Sequence, residues 1–212
     1  MANYGKYSIP LLEEDLPTIK EFFRIALNTL FFHRWIGETN FEDSESIIPN
    51  ITYIKLKNDG LQKEIEKNVN LLETKINESK RVEVKVNFYT EKKINWMFRE
   101  ELDKLWESWT FVFLLKNKSE NENDNNNNNE EEDEENSKEN LIRKYLFIIL
   151  QKLNDKIDFM PNLNNNNNNN NNKLEQETFP YEIIFNNNIT DNYLIKLLKE
   201  ISIQNELKNS LI

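Results

Sequence analysis

From Asp15 to Gly37 the chain reads as one helix that is apolar on most of its circumference. Ile19, Phe22, Phe23, Ala26, Leu27, Leu30 and Phe31 follow the helical repeat, and Ile25 and Phe32 widen the stripe. Such a helix cannot lie on a surface; it must be the buried centre around which the other elements pack. Asp15 can accept from the unpaired amides of the first turn, and Pro17 sits where a missing N–H does no harm. Gly37 marks the end.

The remaining elements are shorter. Lys6–Leu12 reads as a strand, and Pro10 confines it to a sheet edge or end. Ile51–Lys57 alternates as a strand. Asn58 and Asp59 can cap a helix in which Leu61, Ile65, Val69, Leu72 and Ile76 form a narrow stripe opposite a charged, solvated face. Two strands follow, Val82–Tyr89 and Leu105–Leu115. Trp106 and Trp109, three apart on the second, should point to opposite faces. Leu141, Tyr145, Ile148, Ile149, Leu153 and Ile157 predict a third helix, Tyr181–Phe185 a strand, and Leu194, Leu197, Leu198 and Ile201 a last helix capped by Thr190 or Asp191. The order β-α-β-α-β-β-α-β-α predicts an α+β fold, a mainly antiparallel sheet packed against helices. With 212 residues, one domain over 1–212 is expected.

Two low-complexity stretches interrupt it, an acidic Asn-rich one at 117–140 and a second at 162–173 around the Asn164–Asn172 run. Neither has the apolar surface to offset chain entropy, so both are expected as disordered surface inserts. The first also carries most of the charge. It holds ten acids against two lysines, a net of −8, so of the −10 on the whole chain only −2 belongs to the rest. A nearly neutral folded part gives no pointer to nucleic acid or anionic lipid.

Composition removes several chemistries. The chain has no cysteine, which excludes disulfides, thiolate nucleophiles and cysteine-ligated zinc. Its three glycines fit no phosphate-binding loop. No metal site or cofactor is expected. His33, the one histidine, lies beside Arg34 at the C-terminal end of the first helix, where a cation suits the helix dipole, and no nucleophile accompanies it. Carboxylates for glycoside-type hydrolysis are plentiful, though ten of the 37 fall in the insert, where no geometry is held. The N-terminus lacks a signal pattern. The apolar runs Phe111–Leu115 and Leu146–Leu150 are far shorter than the ~20 residues of a membrane helix. A soluble, cytoplasmic, non-enzymatic protein is expected.

One feature resists a purely structural reading. Trp96-Met97-Phe98 lies in the connection between the two central strands, among Glu91, Lys92, Lys93, Asn95, Arg99, Glu100, Glu101, Asp103 and Lys104. A solvated turn needs Gly, Asn or Asp, and has no use for Trp and Phe. The two rings represent on the order of 8–12 kcal/mol of gross transfer energy. Either the loop folds back and plugs them into the core, or they anchor a partner. Lys92, Lys93 and Arg99 read as a solvated rim, with base stacking a minor alternative.

Several segments together resemble a known family. Leu27-Asn28-Thr29-Leu30-Phe31-Phe32-His33-Arg34 is similar to the end of the first helix in autophagy-related protein 101, a HORMA-fold family. Phe88 to Phe98 resembles that family's Phe-Tyr strand end, lysine-rich turn and Trp-x-Phe tripeptide, and Trp106-Glu107-Ser108-Trp109-Thr110 its Trp-Glu-x-Trp-Thr strand. Phe159-Met160-Pro161, Pro180-Tyr181 and Ile189-Thr190-Asp191 fit its C-terminal third. Met97 stands where proline is familiar, one extra residue precedes Trp106, and the Asn run replaces an ordinary linker before Tyr181.

The resemblance implies a single HORMA-like domain whose Trp96, Met97 and Phe98 form an exposed "WF finger", so it favours the anchor over the plug. It implies pairing with the HORMA domain of autophagy-related protein 13, which the chain would stabilise, within the autophagy-initiating kinase complex. Downstream autophagy factors would be recruited through the finger, at the preautophagosomal structure on induction. In HORMA pairs the third helix, here Leu141–Ile157, commonly lies in the dimer interface. The alternatives are a checkpoint-type HORMA adaptor that closes its C-terminal segment around a peptide, and an unrecognised carboxylate hydrolase.

Overall fold

The computed structural model describes residues 5–36, 39–94, 100–116, 128–155, 161 and 179–190, with 91–94, 100–103 and 128–135 described by backbone alone. In chain order the elements are β1 (Gly5–Ser8), β2 (Leu12–Glu14), α1 (Leu16–Arg34), β3 (Phe41–Glu45), β4 (Thr52–Leu56), α2 (Asp59–Ser79), β5 (Arg81–Ile94), β6 (Glu100–Leu115), α3 (Asn128–Asn154) and β7 (Tyr181–Asn186). The main sheet runs β1-β6-β5-β7, with β2 also on β6, and β3-β4 form a separate two-stranded sheet. β1 and β2 pair parallel to β6, and the other pairings are antiparallel. The α+β class with mostly antiparallel strands is the one expected, and it agrees with a HORMA-like single domain.

α1 is the centre. The Asp15 carboxylate accepts from the Thr18 amide at 2.8 Å, which caps the helix where expected. Ile19, Phe22, Phe23, Ile25, Ala26, Leu27, Leu30 and Phe31 are all buried. Phe22 and Phe23 meet Phe111 and Phe113 of β6 edge-on, and Phe31 meets Phe88 of β5 and Tyr181 of β7. α2 and α3 both pack against the remaining sides of α1 or the sheet. Asn58 caps α2 through the Leu61 amide, and Lys80 closes it with φ 62°, the left-handed conformation that glycine usually supplies.

Four details depart from the sequence reading. The single strand expected over Lys6–Leu12 is broken at Ile9–Leu11 into β1 and β2, since Pro10 cannot donate to a ladder. β3 was not expected at all; Phe41-Glu42-Asp43-Ser44-Glu45 is exposed at every position but one, so it has no apolar alternation to read. α3 begins at Asn128, so 128–140 is helix rather than the disordered insert expected there. Glu and Lys are good helix formers, and the segment is tied down: Lys138 reaches Asp15 at 2.7 Å, and Glu139 pairs with Arg143 at 2.7 Å. The buried row of α3 is Ile142, Tyr145, Ile149 and Leu153, with Leu141 and Ile148 only half-buried. The remainder of both inserts, Ile157 and the last helix expected at Leu194–Ile201 lie outside the described residues.

Candidate partner-binding site

β5 and β6 form the longest pairing, but their neighbours accompany them only part of the way. β1 lines β6 from Thr110 down to Glu107, and β7 lines β5 from Glu83 to Phe88. Phe88 lies opposite Glu107, so among the described residues both flanking strands reach out to the same level. Tyr89 is the last residue tied to β7's side, its amide donating to Pro180 O at 2.7 Å and its hydroxyl to Glu182 at 3.1 Å. Beyond it, among the described residues, β5 and β6 continue as a two-stranded ribbon from Tyr89 opposite Leu105 to Ile94 opposite Glu100. Six residues at ~3.4 Å each carry its end about 20 Å from the sheet. The connection between the arms is 95–99. Trp96, Met97 and Phe98, the residues singled out by sequence, therefore lie outside the described residues, and so does Arg99. Lys92 and Lys93 belong to the β5 arm.

The root of this ribbon is built from two of the sequence segments quoted above, the ends of Leu27–Arg34 and Trp106–Thr110. Arg34 and Glu107, each 1 % exposed, form a two-pronged ion pair: Nε donates to Oε2 at 2.8 Å and Nη2 to Oε1 at 3.1 Å. Trp109 Nε1 also donates to Glu107 Oε1. The Arg34 guanidinium lies over the Trp106 ring, 5.4 Å from its centre, and Phe179 meets the same ring at 4.9 Å. Tyr7 stacks on Trp109 at 4.4 Å. Its hydroxyl is pushed up to about 12, first by burial and then by the Glu107 charge.

This corrects the expectation that Trp106 and Trp109 face opposite ways. Phe88 pairs with Glu107 but Tyr89 with Leu105, so Trp106 is an extra, bulged residue on β6. A bulge shifts the alternation by one. Arg34 can therefore touch Trp106, Glu107 and the neighbourhood of Trp109 from one side. Two residues before the bulge, Lys104 has φ 57°, a left-handed turn within a strand.

Other candidates from the sequence are placed as structural groups. His33 is partly covered, and burial, then the adjacent Arg34 charge, lowers its pKa. The buried carboxylates Glu21, Glu83 and Glu107 are each paired with a cation, Arg24, Lys85 and Arg34. Among the described residues no group of His, Asp and Glu is arranged to hold a metal ion, and no helix is long and apolar enough to cross a membrane. On α3 the row opposite the buried one carries Arg143, Phe147 and Leu150, and Phe147 is 66 % exposed. Sequence reasoning missed both this row and the Arg34–Glu107 pair. The first was hidden by a helix apolar on two sides, the second by 73 intervening residues.

The family model described as autophagy-related protein 101 matches residues 12–167, well over half of the chain and across the whole β5–β6 hairpin. No curated protein matches it.

Proposed function

The chain belongs to the autophagy-related protein 101 family and so has a role in autophagy; from that premise we propose that it is a non-catalytic adaptor of the autophagy-initiating kinase complex. It pairs with the HORMA domain of autophagy-related protein 13, stabilises that domain, and recruits downstream autophagy factors through Trp96 and Phe98. It works in the cytoplasm and gathers at the preautophagosomal structure on induction.

The observation that carries the reading is the ribbon. A hairpin that leaves its sheet for about 20 Å, with two large aromatic residues in the connection between its arms, suits presentation to a partner better than filling a core. Support for the pairing comes from α3, whose Phe147 is 66 % exposed and Leu150 39 % exposed although Ile142, Tyr145, Ile149 and Leu153 already face α1 and the sheet. A single-sided helix needs no such second apolar row. Mixed with the partner HORMA domain, the intact chain should show slowed amide exchange along α3; unchanged exchange there removes the proposed interface. Capture from cells tests the rest. The Trp96→Ala, Phe98→Ala variant should still bring down the partner HORMA domain and the kinase while losing downstream factors, and retention of all of them refutes the finger.

A further inference from the structure

We propose that Arg34, Glu107 and Trp106 set the direction in which the β5–β6 ribbon leaves the sheet, and are positioning residues for its tip. The proposal rests on the reading of that tip as the part that meets a partner, but its basis is independent of any partner. Three features coincide at one level of the hairpin. Among the described residues β7 begins there and β1 reaches no further out, so no described strand flanks the ribbon beyond that level. β6 carries its bulge there, with left-handed Lys104 two residues further out. The buried Arg34–Glu107 pair lies there too, with its guanidinium over the bulged Trp106 ring.

A two-stranded ribbon has little stiffness of its own, and a bulge is where a strand pair bends and twists. Without a clamp the ribbon would swing about Trp106. A tilt of roughly 15° over a length of about 20 Å displaces the tip by about 5 Å, enough to misplace a pair of anchors. The clamp ties the bulge to the body of the fold. Glu107 is the residue after it on β6, and Arg34 ends the most buried helix, so the bulge is referenced to the centre of the fold. Trp106 Nε1 is buried with no hydrogen-bond partner among the described residues, and its ring packs against the Arg34 guanidinium, Phe88 and Phe179. A simple fold-stabilising role needs no such placement; apolar residues of similar volume do that work as well.

The test is a distance. Because the chain has no cysteine, spin labels can be placed on Lys92→Cys of the β5 arm and Lys63→Cys of α2, with Lys63→Cys and Lys144→Cys of α3 as a pair within the body. Into each is introduced Arg34→Met with Glu107→Gln, which removes both charges and keeps an acceptor for Trp109. The arm-to-body distance should shift by several ångström or broaden, while the body pair stays as in the parent. Arg34→Lys keeps the charge and loses the planar fork; it should give a smaller change in the same measurement and carries the test if the double variant does not fold. An unchanged arm distance in a variant with a cooperative unfolding transition overturns the proposal, whatever the tip binds. A shifted distance in a protein whose tip variants capture the same factors as the parent leaves the clamp standing and removes the finger reading.

Discussion

In the inner half of the β5–β6 hairpin, Val82, Val84, Val86 and Phe88 are fully buried against Trp109, Phe111 and Phe113 of the partner strand and the rings of α1. In the outer half the register sets Glu91 opposite Asp103, Lys92 opposite Leu102 and Lys93 opposite Glu101. The same two strands thus pass from a stretch buried between α1 and the flanking strands to one described by its ladder. Burial stabilises the inner half of the hairpin, and the comparison between the halves turns on whether the outer half serves folding as well.

The largest effect should come from the inner half. Phe111→Ala removes a ring that touches Phe22, Phe23 and Phe113, and should cost about 3–5 kcal/mol in urea unfolding. Lys93→Ala in the outer half should stay within about 0.5 kcal/mol. Comparable losses at the two positions would break the comparison.

Next in size is an effect on binding. Replacing Trp96 and Phe98 by Ala should weaken capture of a downstream factor by ~2–4 kcal/mol per anchor, with the unfolding midpoint almost unchanged. If the two rings instead plug the core, the same variant loses roughly 3–5 kcal/mol of stability per ring, and the outer half is no longer outside the fold.

The two halves also differ in how far the sequence revealed them. The inner strands were readable because alternation of Val82, Val84 and Val86 has one physical cause, a single buried face. α1 was readable for the same reason, down to its Asp15 cap. The tip residues stood out by being apolar where nothing local requires it. The root was not readable. Arg34 and Glu107 meet across 73 residues, and an ion pair formed by tertiary packing leaves no local pattern. The bulge is invisible in the sequence because one inserted residue alters register without altering composition, which is why the spacing of Trp106 and Trp109 predicts opposite faces. β3 went unseen because its side chains are solvated and only its ladder to β4 defines it.

Smaller effects bear on what lies outside both halves. Asp15 serves two elements, capping α1 through Thr18 and pairing with Lys138 of α3. Burial works to raise its pKa, but the hydrogen bonds from Lys138 and Thr18 outweigh it and hold the carboxyl below its usual range. Asp15→Ala should cost about 1 kcal/mol, and Lys138→Ala less. Removal of Asn121–Glu135, with the Asn164–Asn172 run shortened, should change stability by less than about 1 kcal/mol. A loss of several times that would show that the insert supports the body rather than decorating it.

The smallest expected effect lies at the boundary between the halves, where His33 adjoins the Arg34 clamp. Burial, and then the neighbouring Arg34 charge, lower the pKa of His33 in the folded protein, against about 6.5 in an unfolded chain. Between the two values the unfolded chain binds the proton more readily. Stability should therefore be level above about pH 7 and fall as the pH drops through about 6.5 toward the folded pKa. Since the chain has no other histidine, a slope in that window can be assigned. Unfolding midpoints measured from about pH 7.5 to 5.5 should decline in the parent and be flatter in His33→Gln. The helix C-terminus favours the opposite sign, because a cation there is stabilised by the dipole. A midpoint that rises on acidification would mean that the dipole outweighs burial and the Arg34 charge, and that the end of α1 at the root is more open to solvent than its neighbour Arg34 implies.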